Sequence, residues 1–324
     1  MMTVNFQEDD MSRNHPLAAL LSSQSFVLLD GAMATELEAH GCNLADSLWS
    51  AKVLLEAPDV IRQVHLDYFR AGAQIATTAS YQATPAGFAA RNLSQTQATE
   101  LIAKSVQLAC QARAMYLQEN PGAGTLLVAG SVGPYGAYLA DGSEYRGDYV
   151  CRDEDFQAFH RQRIETLLLS GVDLLACETF PSFPEICALI ALLRSWPQAR
   201  AWFSFSVRDS EHLCDGTPLR EVMAAVSGSS QVVSVGVNCL APERAAAVLR
   251  HLRSLTSLPL LVYPNSGERY DPQLKSWHRH ASNDPTLVDY LPEWLEAGAR
   301  LIGGCCRTTP DEIATLRQHL PRWR

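Results

Sequence analysis

Cys305 and Cys306 stand side by side in "ARLIGGCCRTTP", Ala299 to Pro310, after paired glycines and at the end of an apolar run. A third cysteine, Cys239, closes another apolar run in "VVSVGVNC". If both runs are strands whose C-terminal ends meet on one face of a barrel, three thiols share one small volume. Gly303 and Gly304 are expected to let the backbone bend so that consecutive cysteines face one centre, which the alternation of a regular strand forbids. Three thiolates suit Zn2+ at metal–sulfur distances of about 2.3 Å and leave a fourth position open. An open position points to catalysis. Three thiolates also blunt the metal's power to polarise water or a carbonyl, so a substrate thiol fits the fourth place better than water does. Coordination ionises a thiol whose free pKa is about 8.5. The chemistry expected is alkyl transfer to that thiol. The residues alone leave two other readings open, a redox pair and thiols without any special role.

The elements that must position these thiols are legible as apolar runs. Eight of them recur: "FVLLD" (Phe26 to Asp30), "AQIATTAS" (Ala73 to Ser80), "TLLVAGSVG" (Thr125 to Gly133), "VDLLACET" (Val172 to Thr179), "ARAWFSFSV" (Ala199 to Val207), "VVSVGVNC" (Val232 to Cys239), "PLLVYPNS" (Pro259 to Ser266) and "ARLIGGCC" (Ala299 to Cys306). Near-continuous apolar runs are what strands covered on both faces require. Between them lie helical patterns such as "PDVIRQVHLDYFRAGA" and "TQATELIAKSVQLACQARAMYLQ", punctuated by Gly and Pro. Repeated β/α units of this number predict an α/β fold, the (β/α)8 TIM barrel, as a single domain. A doubly wound open sheet is the alternative. The barrel is preferred because Asp30, Glu178, Cys239, Asn265 and the Cys305–Cys306 pair close different strands, and a barrel brings all of those ends to one face. Residues 1–16 read as a flexible N-terminal extension and 17–324 as the barrel.

Composition sets the bounds. The chain has 324 residues, 47% of them hydrophobic, and a formal charge of -9 with no long Lys/Arg run, so nucleic acid is not an expected partner. No stretch approaches the roughly 18 apolar residues of a membrane span. Nine cysteines in a chain of this size suit a reducing compartment, and a cytoplasmic location is expected. Cys110, Cys177 and Cys187 read as small buried hydrophobes, and Cys42, Cys151 and Cys214 as surface or turn thiols. The segments after the second, third and seventh runs are long and rich in Gly, Tyr, Asp and His, as binding loops on a rigid scaffold are. The pair His278 and His280 in "WHRH" reads as a polar part of such a loop rather than as a second metal motif.

"GGCC", "GVNC" and the opening "DGAMATELE" together resemble the homocysteine S-methyltransferase family, and the similarity runs from about Leu17 to Leu316. "LLDGAMATELEAHGCNLADSLWSAKVL", "TASYQATPAGFAARNL", "VAGSVGPYGAYLADGSEYRGDY" and "VYPNSGERYD" are similar to the bacterial members that use S-methylmethionine. The resemblance implies a homocysteine-binding barrel in which Cys239, Cys305 and Cys306 hold Zn2+ and the homocysteine sulfur takes the fourth place. It also implies that Asp30 and Glu178 bind the amino group of L-homocysteine, that amides around Gly31 to Met33 bind its carboxylate and that Asn238 helps to position it. Trp49 and Tyr81 match the aromatic residues that face the donor cation in betaine-using relatives. Those relatives place a tyrosine directly after the acid matching Glu178, and Thr179 stands there in this chain. That departure favours a sulfonium donor, S-methylmethionine or S-adenosylmethionine, with methionine as product. Apart from the family, Asp30 and Glu178 have a second reading as helix caps, which does not exclude the first. The alternatives in function are a zinc hydrolase and a non-catalytic thiol redox or zinc-binding protein.

Overall fold

The computed structural model describes residues 15–44, 49–271, 276–278 and 285–320. Its strands in chain order are β1 (Val27–Leu28), β2 (Ile75–Thr77), β3 (Leu127–Val132), β4 (Leu174–Phe180), β5 (Ala201–Phe205), β6 (Val232–Asn238) and β7 (Leu260–Tyr263). A small antiparallel hairpin of β8 (Arg269–Asp271) and β9 (Ser276–His278) follows, and then β10 (Ala299–Ile302). The eight parallel strands run β1-β10-β7-β6-β5-β4-β3-β2. A parallel bridge between Leu29 and Ile75 closes the ring, with Gln74 N donating to Leu28 O at 2.7 Å and Asp30 N to Ile75 O at 3.0 Å. Each apolar run contains one barrel strand, and the open-sheet alternative is set aside by that closure.

Helices follow the strands because the sequence starts and stops them. In α1 (Pro16–Ser23), α4 (Pro58–Ala71) and α11 (Pro242–Leu255) a proline opens the first turn, where its missing N–H costs nothing. Between α1 and α4 come α2 (Met33–Ala39) and α3 (Trp49–Glu56), and beyond α4 lie α5 (Pro85–Ala89) and α6 (Gln95–Glu119). Ser94 and Gln97 form a capping box at the start of α6. The outer layer continues with α7 (Tyr135–Leu139), α8 (Asp153–Leu169), α9 (Phe183–Leu193), α10 (Leu219–Val226), α12 (Leu287–Glu296) and α13 (Pro310–Arg317).

Alternation along the strands separates two cores. Leu175, Cys177, Phe203, Val235 and Val262 face the helices, whereas Leu174, Ala176, Trp202, Leu261 and Leu301 fill the barrel. Helix α1 turns Leu17 and Leu20 into that inner cluster, and Arg300 holds it there by donating to Leu21 O at 2.6 Å and Gln24 O at 3.0 Å. Each of these leucines, when fully buried, contributes about 1.5–3 kcal/mol. One end of the barrel is thereby filled with hydrocarbon, and the polar side chains gather at the strands' C-terminal end. The segment read as an extension reaches the fold at Pro16, where α1 begins, and residues 1–14 lie outside the described part. Among the described residues no helix is long and apolar enough to cross a membrane.

Candidate active site

A cavity of about 390 Å³ opens at the C-terminal end of the strands. The inward rows lead into it in steps of two: Ile75 to Thr77, Ala129 to Ser131, Ala176 to Glu178, Leu261 to Tyr263. The same step carries Leu301 through Gly303 to Cys305.

The three cysteines named above meet there. Their sulfurs all lie within 4.8 Å of one another, with Cys239 Sγ 3.9 Å from Cys306 Sγ, and Cys239 is joined to Cys305 as a disulfide. Neighbouring cysteines converge because a turn starts at Cys305: Thr308 N donates to Cys305 O at 3.1 Å, and Arg307 takes φ 67°. The glycines serve a purpose other than the expected bend. Neither Gly303 nor Gly304 adopts positive φ, but a Cβ on Gly303 would sit 2.6 Å from Leu29 Cβ, and one on Gly304 2.5 Å from Thr308 Cβ. They let the β10 end lie close against the β1 end and its own turn.

Left-handed backbone marks this wall. Of the five non-glycine residues with positive φ among those described, Thr179 (65°), Cys239 (52°) and Arg307 (67°) line the cavity. Such conformations cost on the order of 1 kcal/mol each and persist where surroundings enforce them. Asn238 supplies the enforcement for Thr179, at a bulge where the register between β4 and β5 shifts. Its Oδ1 accepts from Thr179 N at 2.9 Å and Ser204 Oγ at 2.6 Å, and its Nδ2 donates to Thr179 Oγ1 at 2.8 Å and approaches Cys305 Sγ at 3.9 Å. Asn238, read from sequence as a substrate contact, lines the cavity with its polar atoms already engaged in holding Thr179 and Cys305.

Asp30 and Glu178 share the cavity. Asp30 is 5% exposed, and its carboxylate accepts from Thr77 N at 2.7 Å and Thr77 Oγ1 at 3.1 Å. Burial pushes its pKa up to about 8; the Thr77 hydrogen bonds oppose the rise and the charge of Glu178 adds to it. Glu178 is likewise raised by burial, against hydrogen bonds from Ser131 and Tyr263. A cation placed between two acids held up in this way would offset the cost of burying their charges and bring both pKa values down. Neither acid caps a helix.

Gly31 and Met33 line the cavity, and the Ala32 N–H between them is taken by Thr308 Oγ1 at 3.1 Å. Tyr81 is also in the wall, its hydroxyl hydrogen-bonded to the Thr179 side chain. Trp49 opens α3, and its side chain lies outside the described part, as does His280. A buried network pins the Tyr81 segment from behind. Arg163 donates to Tyr81 O at 2.7 Å and to Gly133 O at 2.6 Å and meets His160 Nδ1 at 2.9 Å, while His160 Nε2 lies 2.7 Å from Glu185 Oε1. Burial lowers the His160 pKa. Glu185 in turn accepts from Tyr135 N at 2.6 Å and from the Tyr149 hydroxyl.

The model of the homocysteine S-methyltransferase family matches residues 27–320. The chain belongs to the homocysteine S-methyltransferase family. The homocysteine S-methyltransferase of Escherichia coli strain K12 is 69% identical over 307 residues, covering 95% of this chain and 99% of the relative. The crystal structure of the homocysteine methyltransferase MmuM from Escherichia coli in its metallated form superposes with a TM-score of 0.87 at 65% identity, over 94% of this chain and 99% of that one. Its oxidized form gives a TM-score of 0.88 at 67% identity over the same shares.

Several cavity residues of this family member escaped the reading of strand ends. Thr77, Ser131 and Tyr263 support the two acids from the inward rows, and counting in twos from Ile75, Ala129 and Leu261 finds them. Glu144 and Tyr145 reach the cavity from the long segment after β3, where no periodicity orients a side chain. Cys177 is buried as read, whereas Cys110 and Cys187 are half-buried, and so are Cys42, Cys151 and Cys214.

Proposed function

We propose that this chain transfers the methyl group of a sulfonium donor, S-methylmethionine or S-adenosylmethionine, to the sulfur of L-homocysteine, giving methionine, with Zn2+ held by Cys239, Cys305 and Cys306. The observation that carries this is one cavity holding three convergent cysteine sulfurs beside the buried Asp30 carboxylate and the half-buried Glu178. The donor set fits the metal: four-coordinate tetrahedral zinc with bonds of about 2.3 Å places its sulfurs roughly 3.8 Å apart, and Cys239 and Cys306 stand 3.9 Å apart. Zinc at such a site supplies the Lewis acidity that keeps a thiol ionised at neutral pH. The disulfide between Cys239 and Cys305 must be reduced before both can serve as ligands.

The chain's own residues bind and align. Asp30 and Glu178 take the ammonium of homocysteine, Gly31 and Met33 lie where its carboxylate ends, and the sulfur reaches the cysteines. Tyr81, and Trp49 by its place in the family, belong to the donor side. The donor S–CH3 bond breaks with both electrons going to the departing sulfur, a new S–CH3 bond forms from a lone pair of the homocysteine sulfur, and the thiol proton leaves to solvent. The leaving group is a neutral thioether and needs no general acid, so the protein's part is orientation and exclusion of water.

The test is to follow a labelled methyl into methionine using reduced, metal-replete protein and homocysteine, with S-methylmethionine, S-adenosylmethionine and betaine in separate reactions. Transfer from a sulfonium and none from betaine is expected. No transfer from any donor with the metal bound overturns the proposal.

A further inference from the structure

Two turns form the parts of the cavity that homocysteine has to join, Asp30 to Met33 after β1 and Gly304 to Arg307 after β10. They are fastened to each other by side chains behind the wall. Thr308 Oγ1 accepts from Ala32 N at 3.1 Å and donates to Cys305 O at 2.6 Å, so one hydroxyl joins the middle of the first turn to the first cysteine of the second. Tyr68 reaches the same place from α4, its hydroxyl standing 3.0 Å from Ala32 O and 3.1 Å from Thr308 O. Gly304 N adds a main-chain bond to Asp30 O at 3.0 Å. Thr308 and Tyr68 are fully buried, and neither lines the cavity. The glycines that do line it press on them. A Cβ on Gly31 would stand 2.8 Å from both Thr308 Oγ1 and Tyr68 Cε1, and one on Gly304 2.5 Å from Thr308 Cβ. On its other flank the cysteine turn is held to the segment after β7, with Cys305 N donating to Pro264 O at 2.7 Å and Ser266 N to Cys306 O at 3.0 Å.

The reaction proposed above turns this fastening into a gauge of length. Homocysteine carries its thiol on a two-carbon arm, counted from the carbon that bears the ammonium. Its ammonium goes to Asp30 and Glu178 while its sulfur goes to the cysteines, so it is held at both ends. A ligand held at both ends senses the span between them, and a ligand held at one end does not. An arm one methylene too short costs a fitted site roughly 10–200-fold. That discrimination requires a stiff span, because a cysteine turn free to slide towards Asp30 would accept the shorter arm as well. We infer that Thr308 is a positioning residue that fixes the span between the thiols and the Asp30 turn and thereby selects an amino acid with its thiol on a two-carbon arm. This rests on the reading above that homocysteine bridges the two. The hydroxyl suits the task because it accepts and donates at once, which an isosteric methyl cannot do. Without it the buried Ala32 N–H loses its acceptor, and the turn must shift to regain one.

The test uses reduced, metal-replete wild type, Thr308→Val, Thr308→Ser and Tyr68→Phe, with metal content measured in each. Kd is determined by calorimetry for L-homocysteine, for L-cysteine, whose arm is one carbon shorter, and for L-2-aminobutyrate, which is homocysteine without its thiol. Thr308→Val is expected to weaken homocysteine by about 10-fold or more and to shrink its preference over cysteine by a similar factor. Metal content and the Kd of 2-aminobutyrate should stay within about two-fold, a pattern that general loosening of the fold does not produce. Thr308→Ser keeps the hydroxyl and should restore most of the preference, and Tyr68→Phe should shift it in the same direction by less. Should Thr308→Val fail to fold, the same comparison is read from Tyr68→Phe. An unchanged preference, an equal loss for 2-aminobutyrate, a fall in metal content or no recovery in Thr308→Ser overturns the assignment. If metal-replete wild type itself binds no homocysteine, the parent reading fails. Tight binding by wild type with an arm-length preference indifferent to these changes sinks this inference alone.

Discussion

Below the cavity, Leu17, Leu20 and Leu174 pack in one apolar cluster with Trp202, whose indole N–H donates to the Tyr263 hydroxyl at 3.2 Å; a few residues further along the same inward rows stand Thr77, Ser131, Glu178 and Tyr263. The strands and the pleat are the same at both ends. The lower end is apolar side chains packed against α1. The upper end has raised carboxyl pKa values, three left-handed residues and clustered thiols, each unfavourable for folding alone. A short step along a strand thus separates what holds the barrel together from what it is built to do, and stability gathered at one end offsets strain stored at the other.

Four changes would break or sharpen that contrast. Cys306→Ala strikes the upper end hardest: metal content measured after reduction and reloading should fall well below one per chain, and single-turnover methyl transfer by roughly 10³-fold or more. An active variant without metal would refute the ligand set. Glu178→Gln should raise the homocysteine KM by about 10²-fold, since it removes one charge of a buried ammonium site; donor KM in the same assay should be indifferent.

At the lower end Leu20→Ala should cost about 2–5 kcal/mol in chemical unfolding, with both KM values unchanged in the folded enzyme. A KM shift there would show that the two ends are mechanically linked. The smallest effect has the least intuitive sign. Asp30 carries a proton in the folded chain up to about pH 8 and in the unfolded chain only to about 3.8. The stability tied to that proton is full below pH 4 and lost as pH rises through 8. Asp30→Asn keeps an acceptor for Thr77 and has no charge to bury. Its Tm without homocysteine should therefore exceed that of wild type by several degrees at pH 9 and converge with it near pH 4, while homocysteine binding is lost.

The barrel was legible because strands buried on both faces must be apolar throughout, and eight such runs leave little choice of fold. The thiols were legible because Cys239, Cys305 and Cys306 end two of those runs. Ser131 and Tyr263 were hidden by register: Glu178 announces itself as an acid in an apolar run, while a serine or tyrosine two residues past an inward alanine or leucine does not. Thr179 conceals a bulge, and a bulge depends on what Asn238 offers from a different strand. Glu144 lies in a loop whose direction comes from the bond of Ser143 N to Asp141 Oδ1 and from close packing of its backbone on Gly136. The glycines before the cysteines were noticed for flexibility and are there for closeness.

The ring closes between β1 and β2 by a lone bridge at Leu29, and the next bond across that seam is the one from Thr77 N to the Asp30 carboxylate. The group proposed to greet homocysteine is therefore also the last fastener of the barrel. Occupancy and closure share one amide proton, and hydrogen–deuterium exchange at Thr77 becomes a gauge of both. It should slow when the amino acid arrives and quicken in Asp30→Ala, so that the seam reports from inside the molecule whether its site is filled.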